Sequence, residues 1–434
     1  MITASVVTRS VRINAWPGRV VAAIILVAAA VIAALAERAA VGSLSYSNFD
    51  LQVYWYTSKA VTSGHSIYAV QLPTGLPPAM CKTLGCPVTE GFVYPPFSAL
   101  LMSPISLLSL PVLKLLWFTA IFGCLEVVLW ISLGWAGVKN PWIRLAVVLA
   151  ALAVLPFFDP IGEEFQAGQV NVFLMTLVLA DMSRRDGARG KGAGVGLAAG
   201  LKLTPLLFIV YLAVTRRFKE AWTAVAVFAA TVLIGFAVKP TDAWHFWTSY
   251  VWQPDRIYPQ AGNIYNQSLR AILARLIHTN SPTGAWLPAA IVVFALGLTV
   301  AIMLHRRGLE LEAVIAVAFT AELISPVSWV YHWVWFVPLV VCIGVRAALS
   351  PTIRGKLGWG VATLAVAAVP AFHPYTYPSW MLPPTSTTGQ LEADSLALAG
   401  LLLLALGALL ARSAKPGEAV IRSDHEGLPA PQGG

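Results

Sequence analysis

Residues 286–304 read WLPAAIVVFALGLTVAIML and contain no charged side chain. A helix rises 1.5 Å per residue, so this stretch is about as long as the hydrocarbon core of a bilayer is thick, roughly 30 Å. It therefore predicts a membrane-spanning helix. Similar apolar runs lie at 19–38, 113–136, 143–158, 169–183, 220–238, 311–326, 331–349, 358–372 and 391–411. The repeated pattern predicts an all-α polytopic membrane protein.

The composition agrees with this fold class. Of 434 residues, 58% are apolar and 11% are charged, whereas soluble domains carry about 25% charged residues. The net charge of +9 is typical of basic cytoplasmic loops rather than of a nucleic-acid surface. The composition thus indicates a membrane partner and excludes a cytosolic enzyme or a nucleic-acid binder.

Two apolar runs are interrupted. Residues 96–110 contain Pro104, and residues 194–214 contain Lys202 and Pro205. If both segments enter the membrane and return, the chain has ten spans and the basic loops at 139–144 and 184–191 share the cytoplasmic side with both termini. If both cross, it has twelve spans and those loops lie outside. The positive-inside rule favours ten.

The same topology predicts which segments lie outside, facing the periplasm or exterior of the plasma membrane: 40–95, 159–168, 239–285, 327–330 and 373–390. We expect residues 1–413 to form a single transmembrane domain and residues 414–434 a disordered cytoplasmic tail. The run at 19–38 resembles a signal peptide, but the many later spans favour an uncleaved first helix. Cys81 and Cys86 flank a turn in the first outer segment, where an oxidising compartment would permit a disulfide.

The first outer segment contains FDLQVY at 49–54. Ser47 or Asn48 can cap a short helix that ends at Gly64. On such a helix Asp50, Tyr54 and Thr57 share one face. From spacing alone, Asp50 is either a charge that stabilises the helix N-terminus or a carboxylate presented at the membrane surface.

Polar side chains also enter the apolar segments. In GQVNVFLM (168–175), Gln169 and Asn171 require either neighbouring helices or sugar hydroxyls as partners. In GLKLTP (200–205), Lys202 would cost about 3 kcal/mol at the bilayer centre, so it needs a carboxylate or an anionic ligand. A broken helix at this depth must be buried or line a cavity.

Three further stretches carry candidate binding residues. YPPF (94–97) places Tyr94 before a helix, and NQSLR (266–270) begins a short helix in the long outer loop. SPVSWVYHW (325–333) places a histidine among aromatic side chains that can stack on sugars. The candidates from the last two stretches, with an upstream arginine, are Arg256, Asn266, Arg270, Trp329, Tyr331, His332 and Trp333. The sequence shows no metal-ligand spacing and no glycine-rich phosphate loop, so we predict neither a metal nor another cofactor.

These stretches, in this order and across roughly residues 45–340, resemble glycosyltransferase family 87. That family comprises GT-C-type enzymes of actinobacteria, including polyprenol-phosphate-mannose-dependent α-(1→2)-mannosyltransferases that extend phosphatidylinositol mannosides and lipomannan. The resemblance implies a GT-C-like bundle of ten to twelve transmembrane helices. It also implies a polyprenyl-phosphate-sugar donor and a glycolipid acceptor.

The resemblance also implies roles for the residues. Asp50 matches the catalytic aspartate, the general base that takes the proton of the acceptor hydroxyl. Apart from the resemblance, the position of Glu163 and Glu164 beside Gln169 makes them the next candidates for that base. Stabilisation of the leaving phosphate falls to Lys202, Arg256, Arg270 and His332, with His332 placed beside Asp50 in the catalytic centre. Sugar and acceptor contacts fall to Tyr54, Tyr94, Gln169, Asn171, Asn266, Trp329 and Trp333. An arabinofuranosyltransferase that uses decaprenyl-phosphate-arabinose, or a glycolipid transporter, are the alternative functions.

Overall fold

The structure is a computed structural model that describes residues 48–73, 89–371 and 387–413. Its helices are α1 Phe49–Thr62, α2 Pro96–Met102, α3 Leu110–Trp135, α4 Pro141–Val154, α5 Asp159–Ala167, α6 Asn171–Met182, α7 Ala193–Leu201, α8 Leu206–Val214, α9 Phe218–Val238, α10 Pro240–Thr248, α11 Leu269–Leu276, α12 Thr283–Arg306, α13 Glu310–Ile324, α14 Phe336–Leu349, α15 Ile353–Ala371, α16 Thr387–Ala393 and α17 Ser395–Ser413. Short 3-10 helices occupy Ser103–Leu107, Leu155–Phe157, Tyr250–Trp252, Pro254–Arg256 and Val330–Trp335. Strands β1 Gln71–Pro73 and β2 Thr89–Gly91 pair antiparallel.

The predicted fold class, an all-α multi-pass membrane protein, is confirmed. Apart from the short β1–β2 pair, the regular elements of the described residues are helices, and several of them are long and apolar enough to cross a bilayer. Within the described residues, five helices are long and apolar enough to cross a bilayer: α3, α9, α12, Val330–Leu349 and α17. A sixth results if Pro141–Phe157 and α5, bent by 73°, count as one span. Other predicted spans are shorter helices, such as α6 with 12 residues and α13 with 15, so helix length alone does not support ten to twelve spans.

The break in residues 194–214 is confirmed. Helices α7 and α8 are separated at Lys202–Pro205, where Lys202 has an extended backbone with φ −151° and ψ 141°. Helix α7 packs along α9 through glycines, since a Cβ on Gly196 would lie 2.4 Å from the carbonyl oxygen of Ala224. The segment is therefore a helical hairpin with Lys202 at its tip.

Ion pairs at the open end of this hairpin show that α7 begins close to the point where α8 ends. Arg217 lies 2.6 Å from Glu310 and 3.9 Å from Asp186, and Gly187 N donates to Glu220 Oε1 at 2.6 Å. The loops at 184–191, 216–219 and 305–310 thus meet at one end of the bundle, which we call the basic end. Residues 194–214 therefore start and finish at the same end of the bundle, as the ten-span prediction requires of this segment.

Helix α13 runs through the centre of the bundle. Twelve of its fifteen residues are buried, and it extends from Glu310 at the basic end to Glu322 at the other. The predicted first span at 19–38, the Cys81–Cys86 pair and the tail from 414 lie outside the described residues, as does most of the segment 373–390.

Candidate active site

A cavity of about 560 Å³ opens at the end of the bundle opposite the basic end. Its wall is built by α1, residues 91–94, the end of α5 with Gln169, residues 255–265 and residues 329–331. The described parts of four predicted outer segments, 40–95, 159–168, 239–285 and 327–330, all contribute residues to this cavity. We call this side of the protein the cavity end.

Helix α1 brings Asp50 to the cavity wall. The predicted end of this helix is correct, with Ser63 as its C-cap and Gly64 at φ 80°. Asn48 occupies the predicted N-cap position, but its side chain makes no capping hydrogen bond; Ser47 lies outside the described residues. Asn48 Nδ2 instead donates to the carbonyl oxygens of Phe165 and Gln166, both at 3.3 Å, and so ties the start of α1 to α5.

The turn after α5 fits closely against α1. Gly168 has a φ of 74°, and a Cβ there would lie 2.6 Å from Cβ of Leu51. Glycine is therefore required both for the left-handed backbone and for the approach of the two helices. This packing places Gln169 directly beside Asp50.

Gln169 organises the polar wall around Asp50. Its Oε1 accepts hydrogen bonds from Tyr54 at 2.8 Å and Tyr94 at 3.0 Å, and its side chain also hydrogen-bonds the Asp50 carboxylate. Burial raises the pKa of Asp50 to about 6, while the bond from Gln169 and the charge of Lys202 oppose the rise. A carboxylate with this pKa is suited to general-base catalysis near neutral pH.

Lys202 lies behind this wall. Its ammonium donates to Asn171 Oδ1 at 2.7 Å, lies 2.7 Å from His332 Nε2 and is 5.5 Å from the centre of the Tyr94 ring. Neither Lys202, Asn171 nor His332 lines the cavity. The sequence predicted that Lys202 needs a carboxylate or an anionic ligand, whereas its direct partners in the structure are one amide oxygen and one imidazole nitrogen.

Two buried carboxylates complete the arrangement behind the wall. Glu164 accepts from Asn171 Nδ2 at 2.9 Å and from the backbone of Val172 at 3.0 Å, and thereby caps α6. Glu322 lies 3.4 Å from His332 Nδ1. The hairpin tip is therefore held between α5 and α13 by charge and by hydrogen bonds.

The two predicted phosphate-binding arginines differ. Arg256 lines the cavity, where its guanidinium stacks 4.1 Å from the ring centre of Tyr250 and 4.9 Å from that of Tyr68. Arg270 is 1% exposed and pairs with Asp255 at 2.5 Å. Within the described part of the chain Arg256 has no carboxylate partner, so it is the guanidinium that the cavity offers to an anion.

The predicted aromatic contacts divide in the same way. Trp329 lines the cavity and meets Tyr258 edge-to-face at 5.2 Å. Trp333 is fully buried and packs on Phe319 and Phe336. The prediction that Trp333 contacts sugar is therefore wrong, because its ring belongs to the core.

Asn266 also has a structural position. Its Oδ1 accepts from the backbone of Ser328 at 2.9 Å, and its Nδ2 donates to the carbonyl oxygen of Ala261 at 3.1 Å. With 1% exposure it joins the loop before α11 to residues 328–329 and does not face the cavity. The prediction of a direct sugar contact by Asn266 is corrected accordingly.

Sequence reasoning missed several residues of the cavity wall, among them Tyr68, Tyr258 and Asp255. The only signal for them was the general richness of the outer loops in tyrosine. Among residues 48–73, 89–371 and 387–413, no three histidine, cysteine or acidic side chains converge to hold a metal ion.

The bundle, together with a sugar-sized polar cavity beside a carboxylate, defines the class of a polytopic membrane glycosyltransferase. The sequence profile of glycosyltransferase family 87 matches residues 92–326, which is more than half of the chain. The chain belongs to this family.

Relatives from mycobacteria extend the match. The chain is 32% identical over 336 residues to a polyprenol-phosphate-mannose-dependent α-(1-2)-phosphatidylinositol mannoside mannosyltransferase of Mycobacterium tuberculosis, covering 73% of this chain and 72% of that one. A protein of the same name from Mycolicibacterium smegmatis is 32% identical over 75% of this chain and 76% of its own. A phosphatidylinositol pentamannoside mannosyltransferase of that organism is 32% identical over 66% and 69%. No solved structure matches the chain significantly.

Proposed function

We propose that this protein transfers mannose from polyprenyl-phosphate-mannose to a phosphatidylinositol mannoside or lipomannan-type glycolipid and forms an α-(1→2) linkage. The names of the relatives support both substrates. Relatives that act on the mannoside and on the pentamannoside are equally similar, at 32% identity, so the proposal names the acceptor only as a class.

The observation that carries the proposal is the position of Asp50 at the cavity wall beside Gln169. The acceptor hydroxyl attacks the anomeric carbon, and its proton passes to the Asp50 carboxylate. The bond from the anomeric carbon to the phosphate oxygen breaks, and the electron pair leaves with the polyprenyl phosphate. One attack from the face opposite the phosphate inverts the configuration of a β-linked donor to the α-linked product.

We assign the leaving phosphate to Arg256, whose guanidinium faces the cavity. Lys202 and Arg270 lie deeper, and we propose that they add positive charge as the phosphate charge develops. We propose that His332 positions the Lys202 ammonium through its Nε2. Tyr54, Tyr94, Gln169 and Trp329 line the cavity, and we assign the sugar hydroxyls and ring faces to them. Asn171 supports this wall through Lys202.

We further propose that the cavity end faces the outside of the plasma membrane and that both termini are cytoplasmic. The loops at the basic end support this orientation, because cytoplasmic loops carry an excess of lysine and arginine. Those loops hold Arg184, Arg185, Arg189, Lys191, Arg216, Arg217, Lys219, Arg306 and Arg307. In this proposal residues 1–413 act as one membrane domain.

The test is transfer by the purified, full-length protein of radiolabelled mannose from polyprenyl-phosphate-mannose to a phosphatidylinositol mannoside. We expect labelled glycolipid from the wild type and none from Asp50→Asn. Lys59→Gln is the matched control, since Lys59 is exposed on the same helix, and it should keep wild-type activity.

The other outcomes separate the alternatives. Transfer from decaprenyl-phosphate-arabinose but not from the mannose donor would identify an arabinofuranosyltransferase. Movement of glycolipid across a vesicle membrane, without transfer of a sugar, would identify a transporter. If Asp50→Asn kept a tenth of wild-type turnover, Asp50 would be a helix-terminal charge, and Glu163 would be the next base to test because it also lines the cavity.

A further inference from the structure

A second, larger space lies away from the sugar cavity. It measures about 780 Å³ and is lined mainly by apolar side chains of α12, α13, α14, α15 and α17. Its rim includes Glu312, Arg346, Arg412 and Ser413, which lie at the basic end of the bundle. We call this space the apolar crevice.

The depth of the crevice matches one leaflet of a bilayer. It extends along α13 from Glu312 to Phe319 and along α17 from Ser413 to Leu403. At 1.5 Å per residue these distances are roughly 10–15 Å. One leaflet contributes about half of the 30 Å hydrocarbon core, so the crevice covers the part of the bilayer that acyl chains occupy.

Charge at the rim is positive. Arg346 forms an ion pair with Glu312, so the charges of these two side chains nearly cancel. Arg412 is exposed, and among the residues that the structure describes it has no ion-pair partner. A single uncompensated guanidinium beside an apolar crevice is complementary to a lipid with an anionic headgroup.

We infer that the apolar crevice is a binding site for an anionic glycerophospholipid of the leaflet at the basic end. Its acyl chains lie against α13, α15 and α17, and its phosphate meets Arg412. The crevice is lined mainly by apolar side chains, and acyl chains are apolar groups present throughout this depth of the bilayer. The site is separate from the sugar cavity, so the lipid-binding inference does not depend on the proposed mannosyl transfer.

The experiment is native mass spectrometry of the full-length protein titrated with phosphatidylglycerol or phosphatidylcholine. We expect preferential retention of phosphatidylglycerol by the wild type. In Arg412→Gln, binding of phosphatidylglycerol should weaken about fivefold, the effect of one basic residue at a membrane surface, while phosphatidylcholine is unchanged. Arg306→Gln is the control, because Arg306 is exposed at the same end but does not line the crevice.

A second variant tests the acyl-chain part of the site. Ala362 lines the crevice, and Ala362→Phe would fill part of it and reduce retention of both lipids, provided that melting shows an intact fold. Equal effects of Arg412→Gln and Arg306→Gln, or retention of phosphatidylglycerol unchanged in Arg412→Gln, would overturn the inference and indicate annular lipid only.

Discussion

At Asp50, protonation links the structure to a pH dependence. Burial raises the pKa of this carboxyl to about 6, and a general base must be deprotonated to act. We therefore expect kcat/KM to fall about tenfold per pH unit below 6 and to level off above it. Steady-state transfer rates between pH 4.5 and 8 would show this limb.

The same titration has a defined effect on stability. A raised pKa means that the folded state binds the proton more tightly, so this group stabilises the fold at low pH and loses that contribution as pH rises through about 6. Loss of activity on mild acidification should thus be reversible and occur without unfolding. If Glu163→Gln, rather than the Asp50 variant, removed the limb, Glu163 would be the base.

Lys202 allows a second prediction at the scale of single residues. Loss of a charge-assisted hydrogen bond costs about 1.5–3 kcal/mol, so Lys202→Ala should lower kcat roughly ten- to hundredfold and raise the donor KM. The acceptor KM should change little. Lys202→Arg should restore activity only in part, because the planar fork does not reproduce contacts to both Asn171 and His332.

The kinetics of Lys202→Met, measured with both donor and acceptor varied, can contradict this prediction. An active but thermally unstable Lys202→Met protein would mean that the lysine serves only to neutralise Glu164 and Glu322, which its charge lies near. The phosphate assignment would then rest on Arg256 and Arg270.

At the scale of elements, the hairpin depends on the glycine that precedes α7 and on two glycines within it. Gly192, Gly196 and Gly200 face α9, and a Cβ on each would lie 2.1–2.4 Å from Glu220, Ala224 or Thr231. Small residues four apart allow membrane helices to approach closely. This spacing fixes how far Lys202 reaches toward the cavity.

We expect Gly196→Ala to separate α7 from α9, since the contact is with a backbone oxygen that cannot move aside. Overpacking of this kind costs about 1–3 kcal/mol, so the melting temperature should fall and transfer should weaken through displacement of Lys202. Gly123→Ala is the matched control, because nothing lies within 4 Å of its added Cβ. Equal melting temperatures for the two variants would show that the glycines do not hold the hairpin.

The elements also show what sequence could and could not predict. The limits of α1 and the break at Lys202–Pro205 followed from local signals, namely Gly64, Pro205 and a charge in an apolar run. The orientation of Trp333 did not, because Tyr331 and Trp333 lie on a 3-10 helix, where residues two apart point about 120° apart. Tyr331 faces the cavity, and Trp333 therefore faces the core.

Contacts between distant segments were beyond sequence reasoning. Lys202 and His332 are 130 positions apart and meet only because the hairpin tip reaches the start of Val330–Trp335. Asn266 is polar and lies beside the site in sequence, but the backbone of residues 261 and 328 uses its amide. Whether a polar side chain serves ligand or scaffold is decided by its partners.

For the whole molecule, the arrangement predicts which loops share a side of the membrane. Arg217 and Gly187 join the loop at 184–191 to its neighbours at the basic end. We expect Arg185→Cys and Arg306→Cys, both at exposed positions, to resist an impermeant maleimide in intact cells and to react after permeabilisation. Gln253→Cys, exposed at the cavity end, should react in intact cells.

The labelling should be done in a background without the four native cysteines, so that each signal reports one position. Each outcome decides a separate question. Labelling of Arg306→Cys from outside, with none of Gln253→Cys, would reverse the proposed orientation and place the sugar cavity in the cytoplasm. Labelling of Arg185→Cys but not of Arg306→Cys would require the chain between 194 and 214 to cross the membrane. The ion pair of Arg217 with Asp186 would then be impossible, because the charges would lie on opposite faces of a hydrocarbon layer about 30 Å thick.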